Sequence, residues 1–468
     1  MKTQEMTELR RGRWAGWHCS AAASVLAAFV LVTLSANWGY AQPAAPRPNF
    51  VFIMADDLGW ADVAFHGGNA PTPHLDQMAR QGLELTQHYV APVCSPTRTG
   101  LLTGRVWSRW GVTNPQNERA LPPGTTTLAS ALRSVGYATC LTGKWHLGSL
   151  PEWGPNHFGF DHSYGSLAGG VSPWNHFYKK GQFSRTWHRN EKLIDEPGHV
   201  TDLITQEAVN WIARQGAEPF FLYVPYTAVH LPVKEPPEWV ERVPADIQGE
   251  VARHYAACIM HLDDGVGKIL AALEARGVRD NTLVVFTSDN GGSTAENNDL
   301  KYPDDNCPTG PLPGNNTPWR GQKGTLYEGG TRVPTLAHWP GHIDATSAPQ
   351  GKLDSPLQII DWMPTLCALA GFSDAPQVPW EGLSLVEHLQ HGQPLPPRTL
   401  YSVGPSGRAH SVRRGDWKLI ATGNGQQRRY ELYNLKNDPH EAHNLATEQA
   451  EQLAELKAQL SQAEAGDP

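Results

Sequence analysis

The chain has 468 residues, a formal net charge of −8 at pH 7 and 18% charged residues. This length allows two domains, or one large domain with an appendage, and the composition is that of an ordinary globular protein. The acidic balance excludes the electrostatic signature of a nucleic-acid-binding or anionic-membrane-binding protein, although a local basic pocket can still hold an anionic substrate.

Residues 1–41 have the pattern of a secretory signal peptide. Four basic residues precede the apolar run 21–34, which is shorter than a comfortable membrane span, and Gly39-Tyr40-Ala41 places small residues where signal peptidases cleave. We predict cleavage after Ala41, a linker over residues 42–48, and a secreted or periplasmic protein without a membrane attachment. Because the removed segment holds four basic and two acidic side chains, the mature chain would have a net charge of −10.

Beyond the linker, short apolar runs alternate with helical patterns, which is typical of an α/β domain with a mostly parallel sheet. The apolar runs predict buried strands over 49–54, 137–141, 220–224 and 283–287. The amphipathic stretches predict helices near 72–81, 125–134, 200–214 and 250–276. A further short helix should begin at Ser95-Pro96, since proline is favoured at the start of a helix.

The pattern changes after Gly371, behind a predicted helix over 359–370 that closes the main domain. Short strand-like runs between 399 and 434 predict a small antiparallel sheet. An apolar stripe of three leucines predicts a final helix: Leu453, Leu456 and Leu460. We therefore predict a main domain over 49–371, which would hold any active site, and a C-terminal subdomain over 372–468.

Cysteine spacing predicts no disulfide framework and no CxxC metal motif. Export permits disulfides, but we expect four cysteines of the mature chain to stay unpaired: Cys140, Cys258, Cys307 and Cys367.

Residues that can bind ions or transfer protons follow each of the four predicted strands in the chain. In chain order they are Asp56-Asp57, Lys144-Trp145-His146, His230 and Asp289-Asn290. In open α/β sheets, ligands bind at the carboxyl edge of the strands. Core packing does not explain why four strands deliver polar groups to one edge, so we predict a functional site there.

Two of these groups have the chemistry of a metal site. Asp56, Asp57, Asp289 and Asn290 supply three carboxylates and one amide oxygen. Each pair alone is more often a solvated loop or a helix cap, but two pairs behind two buried strands favour a shared ion. All-oxygen ligation suits Ca²⁺ or Mg²⁺ better than zinc, and no histidine joins these ligands in the sequence.

Several motifs together resemble those of the type I sulfatases. Cys94-Ser95-Pro96-Thr97-Arg98 is followed by Thr103-Gly104-Arg105, and Gly143-Lys144-Trp145-His146-Leu147-Gly148 matches a second family element. The contexts of Asp56-Asp57 and Asp289-Asn290 are also similar to those of the family, and the similarity extends to about Ala446. It implies an alkaline-phosphatase-like fold: a mixed, mostly parallel sheet between helices, with a small C-terminal antiparallel sheet and helix.

The resemblance also implies a modified nucleophile. In the family, the motif cysteine is oxidised by a formylglycine-generating or other sulfatase-maturating enzyme, and the hydrated aldehyde attacks sulfur. Cys94 would then be the formylglycine precursor and an additional ligand of one Ca²⁺, beside the oxygen ligands named above. A buried structural cysteine is the alternative explanation of this position.

The other site residues take their roles from the same resemblance. Lys144, Lys323 and His230 would bind the sulfate, and His230 would also protonate the leaving alkoxide. His146 would accept a proton from the second hydroxyl of the modified residue, and Arg98 would hold that residue and the metal carboxylates. Asp289 is the expected base for the attacking hydroxyl.

These motifs predict a hydrolase that cleaves the sulfate ester of a carbohydrate, with aryl sulfates as surrogate substrates. Two alternatives stay open: a formylglycine-dependent phosphodiester or phosphonate hydrolase, and a non-catalytic sulfated-glycan binder with an unmodified Cys94. The aromatic segment 170–187 is either a sugar subsite or a packed loop, and Lys179-Lys180 is a candidate contact for a second anionic group. The loop 292–319, rich in Asn, Pro and Gly, is expected to fold over the site.

Overall fold

A ten-stranded mixed sheet forms the centre of this computed structural model, which describes residues 47–297, 302, 306–373 and 379–468. The predicted signal peptide and most of the linker lie outside the described residues. The strands in chain order are β1 (Asn49–Ala55), β2 (Leu83–Leu85), β3 (His88–Tyr89), β4 (Ala138–Lys144), β5 (His162–Ser166), β6 (Trp187–Arg189), β7 (Lys192–Leu193), β8 (Phe220–Pro225), β9 (Thr282–Ser288), β10 (Leu336–His338), β11 (Lys352–Leu353), β12 (Leu357–Gln358), β13 (Thr399–Val403), β14 (Ala409–Arg414), β15 (Trp417–Thr422) and β16 (Arg429–Asn434).

The four predicted strands are neighbours in the middle of this sheet. The strand order is β11-β2-β10-β9-β1-β8-β4-β5-β6-β7. β1 runs parallel to both β8 and β9, and β4 runs parallel to β8 and β5. The prediction of a mostly parallel sheet is confirmed, and β4 continues three residues past its predicted end, to Lys144.

Helices cover both faces of the sheet, because alternate residues of β1 enter two separate apolar clusters. Phe50, Phe52 and Met54 join one cluster, and Val51 and Ile53 join the other. The helices are α1 (Pro73–Gln81), α2 (Cys94–Thr103), α3 (Leu128–Ser134), α4 (Val200–Arg214), α5 (Pro237–Val240), α6 (Glu250–Ala275), α7 (Glu328–Thr331), α8 (Trp362–Leu369), α9 (Val386–His391) and α10 (Ala450–Glu464). α2, α3 and α8 pack on the Phe50 face, whereas α1, α4 and α6 pack on the Val51 face.

The C-terminal part is an antiparallel sheet in the order β13-β14-β15-β16, with α10 packed against it. Leu456 and Leu460 of α10 are buried in the apolar cluster that contains Phe50, and Leu453 packs partly buried against this cluster. The predicted α+β arrangement is therefore confirmed. Residues 46–468 group into one compact unit, and the domain boundary after Gly371 stays a prediction.

Two further observations concern thiols and membranes. Cys94, Cys140, Cys258 and Cys367 are free thiols, in line with the expectation for the last three. Within the described ranges, we find no helix long and apolar enough to cross a membrane.

A buried ion cluster ties the C-terminal sheet to Glu328, the first residue of α7. Lys418 Nζ, on β15, lies 2.8 Å from Glu328 Oε1 and 2.9 Å from Glu441 Oε1. Glu441 also accepts the Glu328 backbone N–H at 2.7 Å, and Tyr89 Oη donates to Glu328 Oε2 at 2.6 Å. Because all three charged side chains are buried, each depends on the others for the charge balance that water would otherwise provide.

Replacing Lys418 by methionine should therefore destabilise the fold strongly. The change leaves the buried Glu441 carboxylate without its cation and Glu328 paired, among the described residues, only with Arg332, at 3.4 Å, and breaking such a cluster costs about 3–5 kcal/mol. The free energy of unfolding, measured by chemical denaturation, checks this. Lys436→Met, at an exposed position in the same region, is the matched control, and equal stabilities of the two variants would contradict the prediction.

Candidate functional site

The carboxyl ends of four neighbouring strands bring the predicted site residues into one buried cluster. Asp57, behind β1, donates its backbone N–H to Asp289 Oδ1, behind β9, at 3.2 Å. Lys144, the last residue of β4, places Nζ 2.5 Å from Asp56 Oδ2. The remaining predicted residues reach the same cluster from other segments: Cys94 and Arg98 from α2, His146 behind β4, His230 behind β8, Asn290 behind β9, and Lys323 from the loop before α7.

Asp57 lies at the centre of the cluster and is held in its ionised form. Lys323 Nζ lies 2.6 Å from Asp57 Oδ1, and Asn290 Nδ2 donates to the same oxygen at 2.8 Å. His230 Nε2 is 3.9 Å from Asp57 Oδ2. Burial alone raises the pKa of Asp57, but the charges of Lys323 and Lys144 outweigh it and hold this pKa well below its ordinary range.

The pKa of Asp56 shifts in the opposite direction. Burial and the neighbouring charge of Asp289 raise the pKa of Asp56 to about 8, although Lys144 opposes the shift. Its Oδ1 atom is buried and makes no hydrogen bond within the described structure. Asp56 therefore lacks enough positive charge around it in this arrangement.

Arg98 cross-links the carboxylates to β4. This fully buried guanidinium is 2.8 Å from Asp289 Oδ2 and donates to the Lys144 carbonyl at 2.7 Å. Asp56 Oδ2 lies 3.9 Å from the same guanidinium. The planar group thus fixes the backbone of Lys144 and balances part of the acidic charge.

Cys94 is the first residue of α2 and is 2% exposed. Burial raises the pKa of its thiol, even though Lys144 and Lys323 act in the opposite direction. The thiol is therefore held in its protonated, poorly nucleophilic form. This environment does not suit a cysteine that attacks as a thiolate.

His146 is buried, His230 has 13% of its side chain exposed, and both are held neutral. Burial lowers the pKa of His146, and the charges of Lys144 and Arg98 lower it further. Burial and Lys323 likewise lower the pKa of His230, whose Nδ1 lies 2.5 Å from the Leu231 carbonyl oxygen. This contact requires the Nδ1–H tautomer, which leaves Nε2 as the reactive nitrogen of His230.

A glycine pair packs over both imidazole rings. A Cβ on Gly169 would lie 2.3 Å from His146 ring atoms, and one on Gly170 would lie 3.2 Å from His230 Nδ1. Any side chain at Gly169 would have to displace the His146 ring. Gly169 and Gly170 therefore form part of one wall of the site. The sequence indicated the segment 170–187 as a sugar subsite or a packed loop, but not this contact with the imidazole rings.

The long loop after β9 is anchored at the site by both of its ends. Asn316 Oδ1 accepts the Gly292 N–H at 2.7 Å, and Asn316 Nδ2 donates to the Gly292 carbonyl at 3.1 Å. Lys323 N–H donates to the same carbonyl at 3.2 Å. Residues 298–301 and 303–305 of this loop lie outside the described residues. Of the predicted second-anion pair, Lys179 places Nζ 5.4 Å from the Tyr302 ring centroid.

The oxygen atoms of the cluster fit a hard divalent cation. Asp56 Oδ1 and Asn290 Oδ1 are buried and make no hydrogen bond to the described residues, so both are open to a ligand. Carboxylate and amide oxygens are what Ca²⁺ and Mg²⁺ prefer. The structure adds a histidine that the sequence did not: ligand atoms of Asp56, Asp57 and His230 all lie within 4.8 Å of one another.

An anchor behind His230 was also missed from the sequence. Glu235, five residues after His230, has Oε2 2.7 Å from His261 Nδ1 on α6, and Asp202 Oδ1 is 3.1 Å from His261 Nε2. His199 Nε2 lies 3.5 Å from Glu235 Oε1. Two imidazoles thus hold the loop that carries His230. The only available signal was an ionisable residue, His261, within the apolar stretch of α6.

Two family models match the chain. The sulfatase model matches residues 48–372, and a model of the N-sulphoglucosamine sulphohydrolase C-terminal region matches residues 319–465. N-acetylgalactosamine-6-sulfatase of Mus musculus is 34% identical over 397 residues, which are 80% of this chain and 72% of that protein. Arylsulfatase J of Mus musculus is 32% identical over 358 residues, or 74% of this chain and 56% of that protein.

Solved structures agree with these matches. Ps i-CgsB, crystallised in complex with k-i-k-neocarrahexaose, has a TM-score of 0.78 and 30% identity over 90% of this chain and 94% of its own. The phosphonate monoester hydrolase of Agrobacterium radiobacter, at 20% identity and a TM-score of 0.61, covers 88% of this chain and 96% of its own and shares the fold.

The His261 anchor should make stability fall at alkaline pH. Burial lowers the pKa of His261, but hydrogen bonds to Asp202 and Glu235 outweigh it and raise this pKa to about 9, above the ordinary 6.5. The interactions of protonated His261 that raise its pKa stabilise the fold fully below pH 6.5. Their contribution to the free energy of unfolding, about 3 kcal/mol, is lost as the pH rises through 9.

Chemical denaturation of the wild type and of His261→Gln between pH 6 and 10 tests this expectation. The stability difference between the two proteins should shrink as the pH rises, because groups common to both, including neighbouring His199, largely cancel. A difference that is constant across this range would contradict the assignment of a charged His261.

Proposed function

Because the chain belongs to the sulfatase family and is a sulfatase, we propose that it hydrolyses a carbohydrate sulfate at the Cys94 cluster, with Cys94 converted to formylglycine and one Ca²⁺ bound. The observation that carries this proposal is the set of cations beside Cys94, of which Lys144 and Arg98 are fully buried and Lys323 is 21% exposed. Lys144, Lys323 and Arg98 contribute three positive charges to the carboxyl edge of the sheet. Both the sulfate ester and the sulfate dianion released from it need such a preorganised pocket.

Asp56, Asp57, Asp289 and Asn290 would hold the Ca²⁺, together with the modified residue 94. Their carboxylate and amide oxygens, two of which make no hydrogen bond to the described residues, support the assignment of Ca²⁺. The ion would supply positive charge that stabilises developing negative charge on the sulfate oxygens. The modified side chain would supply the attacking hydroxyl, as the family resemblance implies.

The two lysines can serve carboxylate and substrate together. An ammonium has three N–H donors, and here Lys144 is paired with Asp56 and Lys323 with Asp57. One carboxylate contact leaves donors of each lysine for sulfate oxygens. Arg98 binds the Lys144 carbonyl and Asp289, so it keeps both groups oriented without needing to touch the substrate.

The two histidines would carry out the proton transfers. The Nδ1–H of His230 is directed to the Leu231 carbonyl, so its Nε2 is the atom that would protonate the departing alkoxide. An anionic sulfate beside it would favour the protonated form, against the lowering of its pKa by burial and Lys323. Neutral His146 is suited to accept a proton, and Asp289 is the proposed base for the attacking hydroxyl.

A sugar substrate is supported by the names of the relatives. One is an N-acetylgalactosamine-6-sulfatase, and the crystal complex of another contains a neocarrahexaose. We propose a sulfated glycan as the substrate, a sulfatase-maturating enzyme as a biosynthetic partner, and export directed by residues 1–41.

Cys94→Ala should abolish sulfate release by protein co-expressed with a formylglycine-generating enzyme. We expect a loss greater than about 10³-fold in kcat, since the nucleophile is removed. Hydrolysis of an aryl sulfate and of N-acetylgalactosamine 6-sulfate measures it, and mass spectrometry of the Cys94 peptide verifies the aldehyde. Cys367→Ala, at a buried cysteine of α8, is the control and should keep its activity.

The possible outcomes separate the alternatives. A modified protein that cleaves phosphodiesters or phosphonates but no sulfate ester would overturn the substrate class. An unmodified Cys94 in an inactive protein that still binds sulfated glycans would support the binder instead.

Ca²⁺ should stabilise the chelator-treated protein. At a concentration of about one hundred times its Kd, a ligand that binds only the folded state adds about 2.7 kcal/mol to the free energy of unfolding. Asp57→Asn should remove this gain because it removes a central carboxylate charge. Asp246→Asn, at an exposed position, should retain the gain, and a Ca²⁺ response that survives in Asp57→Asn would argue against this site.

A further inference from the structure

The imidazole of His146 makes no hydrogen bond that would fix its orientation. Both ring nitrogens are buried, and neither is hydrogen-bonded to the described residues. The ring packs against Gly169, where an added Cβ would lie 2.3 Å from ring atoms. This contact limits the space of the ring but binds neither nitrogen. The direction of the ring therefore depends on the backbone that carries it.

The backbone of His146 has an uncommon conformation. Its φ angle is +59°, in the left-handed region that residues with a Cβ seldom adopt. Such a conformation persists only where the surroundings hold it. The His146 N–H donates to the Leu167 carbonyl at 3.1 Å, which fixes the peptide before the residue. The peptide after it needs a contact of its own.

The hydroxyl of Ser95, the residue after Cys94, supplies that contact. Ser95 Oγ donates to the His146 carbonyl at 2.8 Å and accepts the Gln116 backbone N–H at 2.8 Å. Ser95 is fully buried, where a hydrogen bond is stronger than in water. Gln116 and Leu147 also form an isolated parallel bridge. The hydroxyl thus joins α2 to the two segments that meet at His146.

Two other buried hydroxyls bind the backbone of site residues in the same way. Thr97 Oγ1 donates to the Asp289 carbonyl at 2.6 Å, and Ser288 Oγ donates to the Asn290 carbonyl at 2.9 Å. Asp289 and Asn290 each have a side-chain hydrogen bond as well. The ring of His146 has none, so His146 depends on its backbone contacts more than these two residues do.

We propose that Ser95 is a positioning residue for His146. Its hydroxyl holds the His146 backbone so that the imidazole can accept a proton from the modified side chain at position 94. The inference rests on the proposed sulfatase function and deepens it by naming a residue on which this proton transfer depends. Because Ser95 follows Cys94 on α2, the helical turn that presents residue 94 also sets the position of the histidine.

Kinetics of Ser95→Ala test this role. Rates of aryl sulfate hydrolysis would be divided by the aldehyde content from mass spectrometry, because the change lies next to Cys94. We expect kcat to fall by about 10- to 100-fold with little change in KM, since a misplacement of about 1 Å can cost as much. Ser95→Thr keeps the hydroxyl and should retain most of kcat. Ser95→Cys keeps the volume but donates only weakly, and should resemble Ser95→Ala.

Thr99→Val is the matched control on the same helix. The Thr99 side chain is fully buried, and its hydroxyl makes no hydrogen bond to the described residues. This variant should therefore keep the kcat of the wild type. A loss in Thr99→Val equal to that in Ser95→Ala would overturn the proposal, because disturbed packing of α2 would then explain both.

A double-mutant cycle separates positioning from general damage. The His146→Ala background has no imidazole to orient, so adding Ser95→Ala to it should lower kcat by less than about twofold. The same loss from Ser95→Ala in both backgrounds would overturn the proposal, since the hydroxyl would then act through another group.

Crystal structures of the unconverted proteins measure the position of the histidine without turnover. Relative to the wild type, the His146 ring should shift by about 1 Å or more in Ser95→Ala and stay in place in Ser95→Thr. An unchanged ring in Ser95→Ala would refute the positioning role. If the ring shifts but the wild type with a confirmed aldehyde cleaves no sulfate ester, the proposed function fails and the positioning role stands.

Discussion

The balance of buried charge at the carboxyl edge of the sheet is the constraint on which this molecule depends. Asp56, Asp57 and Asp289 are fully buried within a few ångströms of one another, and such a group survives only with compensating cations. Lys144, Lys323 and Arg98 provide them. The compensation is uneven, since the pKa of Asp56 is raised and that of Asp57 is lowered. A divalent cation would correct this imbalance.

The surrounding fold holds these six ionisable side chains in place. Parallel pairing of β4, β8, β1 and β9 aligns the strand ends that carry Lys144, Asp56 and Asp289. Lys323 has no strand of its own and depends on the loop that ends at α7. The C-terminal sheet supports that loop, because Lys418 and Glu441 bind Glu328 while the Glu441 carbonyl accepts from Arg320. The C-terminal sheet therefore contributes to the site without lining it.

Much of the fold and the site could be predicted because their signals are local. Each central strand is a continuous apolar run, and its ionisable residues follow directly in the chain. The C-terminal antiparallel sheet was equally predictable from its short strand-like runs. The wall formed by Gly169 and Gly170 could not be predicted from the sequence. A glycine is needed there because another group, here an imidazole ring, approaches its backbone closely, and the sequence does not show which group that is. Glu235 and His261 likewise meet only through the packing of α6 against a loop.

The sequence by itself determined the class of the fold, the family, and the residue types at the strand ends, since each is encoded in short continuous motifs. Tertiary structure alone decided the partners and the protonation of those residues. Whether an aspartate is ionised depends on the cations that reach it from distant segments, as Lys323 reaches Asp57 across 266 positions of the chain. Tertiary structure also decided which large hydrophobic side chains stay exposed, which among the described residues are Trp174 and Leu193, because burial depends on how elements pack and not on residue type.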